Sequence, residues 1–268
     1  MPWTAAGRTL VAAVLLFLPA PLVIVGMSSF TARGYISFPP GELSLRWYAE
    51  FLASTDWLLS LVVSLVLAAL AAVFSTLIAF LGALVFTRKR FPGAAGFETL
   101  VLLPLIFPHA ALGVVMLGMA GLFGWTGRFP GLLLAHVIMT VPYAWRPIVS
   151  SLRKLDLSTE EAAMSLGARP LHVFRRVTLP LLRPGLVTAL LFTFIISFDE
   201  VTVSLFLVGP DVTTLPVRIF AHIQDSGSPV IAAISTVLVA LTVLVVLLLD
   251  RLIGLELFVE SEQRRRPA

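Results

Sequence analysis

The run WLLSLVVSLVLAALAAVFSTLIAFLGALVFT, residues 57–87, contains no Asp, Glu, Lys or Arg. A helix crossing a bilayer needs about 17 to 25 predominantly apolar residues, and this run exceeds that requirement. Lipid offers backbone amides no water, so a stretch this long and apolar satisfies them internally as helix. A barrel would instead show strands of about ten residues with alternating polarity. Further uncharged runs extend from Thr9 to Ala32, Thr99 to Gly127, Phe129 to Trp145 and Ser226 to Leu249. A sixth, Pro184 to Phe198, meets Asp199-Glu200 and resumes as VTVSLFLVG, which reads as one span whose outer half carries two carboxylates. The expectation is an all-α polytopic membrane bundle forming a single domain over residues 1–268. Its six transmembrane helices are placed at about 9–30, 60–86, 98–122, 131–151, 185–208 and 229–250.

Composition agrees with that class. A chain that is 58% hydrophobic and 13% charged, with mean hydropathy +0.99, has too few polar residues to surface a soluble enzyme of this size. The absence of Cys excludes disulfides, thiolate nucleophiles and cysteine metal sites. The histidines at 109, 136, 172 and 222 show neither i, i+4 pairing nor a carboxylate at zinc-ligand spacing, so no metal site is expected. The net charge of +4 sits in short clusters between apolar runs, which carries topology information and does not form a nucleic-acid stripe.

With a cytoplasmic N-terminus, fourteen of the nineteen Lys and Arg residues fall inside, including Arg8, Arg88-Lys89-Arg90, Arg153, Lys154, Arg169 and Arg264 to Arg266. Arg33, Arg46, Arg128 and Arg218 fall outside, and Arg146 lies near the inner end of the fourth span. The positive-inside rule therefore orients both termini to the cytoplasm. The first run is longer than a signal-peptide core of about 7 to 15 residues and ends without a small-x-small site, so a retained span is expected. Pro142 and Pro147 make the inner end of span four a place for a kink or a protein lining. In span three, Pro104 and Pro108, followed by Gly113, Gly118, Gly121 and Gly124, predict bending and close helix contacts.

Two outer segments and one inner one remain. Residues 31–58 turn at Pro39-Pro40-Gly41 into a short interfacial helix, with Trp47 and Tyr48 expected at headgroup level. Residues 209–228, rich in Pro, Gly and Asp, read as a loop. The inner segment, 152–183, is long and patterned. Quoted through Gly185 it is LRKLDLSTEEAAMSLGARPLHVFRRVTLPLLRPG. Ser158 and Glu161 suggest a capping box, Gly167 a left-handed exit, Pro170 the start of a second short helix and Pro180 its end. The expected product is a knob of two short helices, with Leu166, Leu171 and Phe174 as apolar contacts and Glu160, Glu161, Arg175 and Arg176 as a charged rim.

The order Glu161-Ala162-Ala163, Gly167, Val177 and Leu179-Pro180 resembles the cytoplasmic signature of inner-membrane permease subunits of binding-protein-dependent ABC importers. Val177 stands where Ile is common in that signature. Further stretches are similar to the second permease of spermidine/putrescine-type systems: LSLRWYAEFL (43–52), LVLLPLIFPHAALGVVML (100–117), VPYAWRPIVSSLRKLDLSTEEAAMSLGA (141–168), VTLPLLRPGLVTALLFTFIISFDEVTVSLFLVGP (177–210) and TTLPVRIF (213–220). The resemblance covers most of residues 40–250. It implies a MetI-like permease fold in a bacterial inner membrane and a second homologous permease, most simply in a heterodimer. Two cytoplasmic ATPase subunits and a periplasmic solute-binding protein are the other implied partners. The seven signature residues would then dock the ATPase. The chain has no G-x-x-x-x-G-K-[ST] phosphate cradle, so no cofactor is expected on it and ATP is assigned to the partner subunits.

Asp199 and Glu200 are the exceptional residues within apolar context, because ionised carboxylates in a membrane face water, a partner or a ligand. They suit a cationic path for a polyamine, or a gate or packing contact, since adjacent helical residues point in different directions. Arg146 is a second candidate for path or gate, pairing with a carboxylate or snorkelling toward the interface. His109 and His136 are expected to be packed and hydrogen-bonded. Related branches handle other amine-containing or organic solutes and iron, which leaves the substrate open. A membrane-embedded enzyme would need a nucleophile–base or metal constellation that the isolated Ser and His residues do not supply. A stand-alone secondary transporter would need more spans or inverted repeats.

Overall fold

The structure, a computed structural model, describes residues 5–89 and 91–253. Arg90 and Arg264 to Arg266, used above for orientation, lie outside the described residues. The described chain is helical: α1 Ala5–Phe17, α2 Ala20–Ser28, α3 Arg46–Ala53, α4 Thr55–Arg88, α5 Ala94–Leu102, α6 His109–Leu122, α7 Phe129–Lys154, α8 Leu157–Ser165, α9 Pro170–Val173, α10 Leu179–Phe198, α11 Ser204–Leu207, α12 Leu215–Asp225 and α13 Val230–Ile253. Among the described residues, four helices are long and apolar enough to cross a membrane: Gly7–Ser28, Thr55–Arg88, Phe129–Lys154 and Pro170–Phe198. A fifth span results if α5 and α6 count as one. The expected sixth falls on α13, of which Val230–Leu244 stands among the described residues as a shorter apolar helix.

Contacts divide the chain into two compact units. One comprises residues up to Leu58 together with those from Ala221 onward. In it α2 and α3 both pack on α13, whose first turns, Val230 to Ile234, are buried. Trp47 packs inside the protein. It is 5% exposed, its indole N–H donates to the Thr31 carbonyl at 2.8 Å, and the Arg46 guanidinium covers its ring at 4.0 Å. A buried indole needs such an acceptor, and the chain folding back over residues 31–45 supplies it. The Tyr48 and Ser29 hydroxyls share a hydrogen bond of 2.6 Å beside it.

The second unit, Leu59–Phe220, holds two apolar cores. Leu67, Met116, Leu132, Met139 and Leu207 bring α4, α6, α7 and α11 together. Ala79, Ala83, Trp145, Ile148 and Leu182 join α4, α7 and α10. α7 and α10 approach closely at Gly185, where an added Cβ would lie 2.7 Å from that of Ser151. Despite Pro142 and Pro147, α7 is continuous and is the most buried of the four long helices, so its polar backbone sites are protein-lined.

Span three breaks where its prolines predict. A 3-10 turn at Leu103–Leu105 ends α5, Pro108 starts α6, and the two helices meet at 102°. Proline removes one amide donor and clashes with the preceding turn, which makes this the least costly place to bend. Gly113 then lets Phe206 lie against α6 where a Cβ would collide.

Span five differs from expectation at both ends. Its helix begins earlier, at Pro170, passes through a π turn at Phe174–Thr178 and stops at Phe198. Pro180 therefore does not end the second short helix. It lies in the first turn after the π turn, where the ladder is already rearranged and its missing amide is tolerated. At the far end, Asp199 and Glu200 lie beyond the helix, because a continuing helix would strand both carboxylates in hydrocarbon while a turn gives Glu200 donors. Part of the segment expected as loop 209–228 is also helical. In α12 Pro216 sits in the first turn, Leu215 N–H donates to Ser64 Oγ at 2.8 Å and Arg218 Nε to Ser60 Oγ at 2.6 Å.

Candidate functional site

The inner segment folds as a knob between α7 and α10. Its first helix is capped by Asp156, whose Oδ1 accepts the Ser158 N–H at 2.9 Å, so the cap lies two residues before the Ser158 expected from sequence. Asp competes well for this position, and the new boundary places Glu160 in the first turn. That bond holds the exposed Asp156 carboxyl below its ordinary range. Gly167 ends α8 with φ of 88°, Gly167 N–H bonds the Met164 carbonyl at 2.9 Å and Ala168 N–H bonds that of Ala163 at 3.2 Å. This is a Schellman ending, which favours glycine because a Cβ is strained at that φ.

Of the expected docking residues, Glu161, Ala162 and Gly167 are exposed and Ala163 is half-buried. Val177, Leu179 and Pro180 are half-buried where the π turn enters α10, and α8 packs against that turn. The apolar tips stand clear of the fold: Leu166 is 90% and Leu171 61% exposed. Phe174 is half-buried and lies beside Phe80 of α4, so it anchors the knob and leaves Leu166 and Leu171 as the outward contacts. Exposed apolar side chains on a protruding turn suit insertion into an apolar groove.

Of the two glutamates expected on the charged rim, Glu161 is exposed and Glu160 is not. Glu160 is buried, and its Oε1 accepts from Arg88 at 2.5 Å and from Thr178 Oγ1 at 2.6 Å. One carboxylate thus ties the end of α4, α8 and the π turn. Burial opposes its charge, but the Arg88 and Thr178 bonds outweigh burial and hold its pKa below the ordinary carboxylate range. No sequence signal joins Arg88 to Glu160, which are 72 residues apart.

The second candidate region surrounds the break after α10. Glu200 is turned inward: Oε1 accepts the Val203 N–H at 2.7 Å and Oε2 lies 3.1 Å from Nδ1 of His109, the first residue of α6. Asp199 points outward and is exposed. Beside Glu200, the fully buried His136 bridges α7 to Ser197 (2.8 Å) and Ser204 (2.9 Å), and Ser204 Oγ donates to the Glu200 carbonyl at 3.1 Å. One turn on, Thr140 donates to the His136 carbonyl at 2.7 Å and shares a 2.7 Å hydrogen bond with Ser75 of α4. A row of polar groups therefore crosses α4, α7, α10 and α11 with His136 at its centre, packed and hydrogen-bonded as expected, with partners the sequence does not reveal. Such satisfied networks fix helix positions inside apolar surroundings.

Arg146 joins neither region. It is exposed and lines a cleft of about 380 Å³ between α5 and α7, together with Glu98. Among the described residues, no group of three or more His, Asp or Glu side chains is placed to hold a metal ion.

Residues 75–255 match the family of binding-protein-dependent transport system inner membrane components. The chain is 35% identical over 230 residues to the putrescine transport system permease protein PotI of Escherichia coli K12, covering 83% of this chain and 81% of the relative. It is 31% identical over 232 residues to the spermidine/putrescine transport system permease protein PotC of Haemophilus influenzae, covering 87% and 90%. A solved bacterial ABC transporter involved in import of the acidic polysaccharide alginate shares its fold, with a TM-score of 0.70 at 18% identity over 93% of this chain and 98% of that one. A helical membrane chain with a protruding turn, matched over this much of its length, belongs to the binding-protein-dependent inner-membrane component family, the permease subunits of ABC importers.

Proposed function

We propose that this chain is one of two homologous permeases in a polyamine importer and carries spermidine or putrescine inward by alternating access. The identity to a putrescine permease over most of the chain is the observation that supports this substrate class most directly. Both termini face the cytoplasm in this reading. The knob of 157–180 sits in a groove of an ATPase subunit, with Glu161, Ala162 and Gly167 exposed and Ala163, Val177, Leu179 and Pro180 half-buried behind them. ATP is bound and hydrolysed there, and the periplasmic binding protein delivers solute at the opposite face.

Coupling needs a bundle with two packing states and places where helices give way. The 102° break between α5 and α6, the π turn before α10 and the turn after Phe198 interrupt the regular backbone ladder. The π turn continues directly into α10, so displacement of the knob is passed to the helix that ends at Asp199. Exposed Asp199 offers a carboxylate to an ammonium group, whereas Glu200 is occupied as a cap and acts as a gate or packing element.

The test is the ligand that co-purifies with the cognate binding protein, identified by mass spectrometry. A polyamine is expected. A solute without amines, such as ferric iron or an organic anion, overturns the substrate while leaving the family assignment intact.

A further inference from the structure

We propose that the cleft between α5 and α7 binds the phosphate headgroup of an anionic phospholipid. Three cations line it, Arg146, Arg153 and Lys154, against the single carboxylate of Glu98, leaving a net charge of +2. The three lie at i, i+7 and i+8 on α7, one face of the helix over about 12 Å. Among the described residues none of them forms an ion pair, although Arg153 rests over the Phe86 ring at 5.7 Å.

A helix C-terminus attracts basic residues without any ligand, and that explains Arg153 and Lys154 in the last turn of α7. It does not explain Arg146 two turns earlier. Arg146 is exposed and lines the same cleft, so the cationic face extends well beyond the helix end.

The occupant follows from the rest of the lining. Leu102 and Val149 add apolar surface to the cationic one; α7 is long and apolar enough to cross a membrane, and α5 belongs to the bent apolar pair. Free phosphate has no use for the apolar part, whereas a lipid joins a phosphate to acyl chains. Basic pockets between transmembrane helices at the inner leaflet recognise anionic headgroups in this way. The same charge repels a polyamine, which takes Arg146 out of the solute path and makes it a lipid-binding residue.

The assembled transporter, purified in detergent and stripped of lipid, is titrated with phosphatidylglycerol, phosphatidylcholine or inorganic phosphate and read by native mass spectrometry. Phosphatidylglycerol is expected to remain on the permease at about tenfold lower concentration than phosphatidylcholine. Combined Arg146→Gln, Arg153→Gln and Lys154→Gln substitutions should abolish that preference, while Arg169→Gln, Arg175→Gln and Arg176→Gln together preserve it. If the triple variant fails to assemble, Arg146→Gln alone decides the outcome, with phosphatidylglycerol binding expected to weaken by about threefold. Equal binding of the two lipids, a preference surviving these substitutions, or displacement of phosphatidylglycerol by millimolar phosphate would each overturn the proposal.

Discussion

Glu160-Glu161 in the knob and Asp199-Glu200 beyond α10 are adjacent carboxylates in two different regions, and in each pair one is turned inward while its neighbour stays exposed. The inward members differ in their partners. Glu160 meets a guanidinium and a hydroxyl, with the Arg88 side chain 35% exposed, so its bond pegs a knob that remains in contact with water. Glu200 meets a backbone amide and a histidine, and it caps the turn that lets the chain leave α10. One carboxylate holds a docking surface in place; the other shapes a break in the bundle. The outward members, Glu161 and Asp199, are the ones available to something outside this chain.

The strongest way to break this contrast is at the knob. Ala163→Trp should reduce ATP-driven uptake by more than about thirtyfold, the effect of losing roughly 2 kcal/mol of interface, with unchanged membrane insertion. Uptake assays beside membrane fractionation check it, and a collapse of expression alone would assign Ala163 to packing. Next, Glu200→Ala strands the buried Val203 N–H and should cost about 2 kcal/mol of stability, seen as a lower thermal unfolding midpoint in detergent, whereas Glu200→Gln retains the acceptor and loses less.

Glu160→Gln should cost about 1 kcal/mol, since a partly exposed ion pair is worth little more. The sign of its pH dependence follows from the lowered pKa. The stabilisation is fully present above the ordinary carboxylate range and is lost as pH falls through the folded value, so melting curves of the parent should weaken in acid more than those of the Gln variant. The smallest structural effect is expected for Asp199→Asn: an unchanged melting point, with KM for uptake raised several-fold if its carboxylate meets the cation. Unchanged transport in both the Asp199→Asn and Glu200→Gln variants would remove any essential ionic role from this pair.

The sequence patterns that survive in the structure are those with a local physical cause. Pro104 and Pro108 break span three because each lacks an amide, and Gly167 ends α8 because of its positive φ. Long-range partnerships were not legible. Nothing near Glu160 announces Arg88, nothing near His136 announces Ser197 and Ser204, and the inward turn of Trp47 depends on a carbonyl sixteen residues away. Boundaries failed where two rules compete: Asp156 outcompetes Ser158 as the cap, and the π turn lets Pro180 pass into a helix. Hydropathy alone extended span five through Asp199-Glu200, since a running average does not register that a buried carboxylate finds its donors by turning the chain.

Docking of the knob on an ATPase subunit can be tested by cross-linking, because the natural chain contains no cysteine and a single introduced one is unambiguous. In the assembled complex, Leu166→Cys should cross-link to a cysteine placed in the ATPase groove, with a yield that changes on ATP binding. A Leu166→Cys side chain that forms no such cross-link and stays as reactive to a bulky aqueous thiol reagent in the complex as in the isolated permease would contradict it.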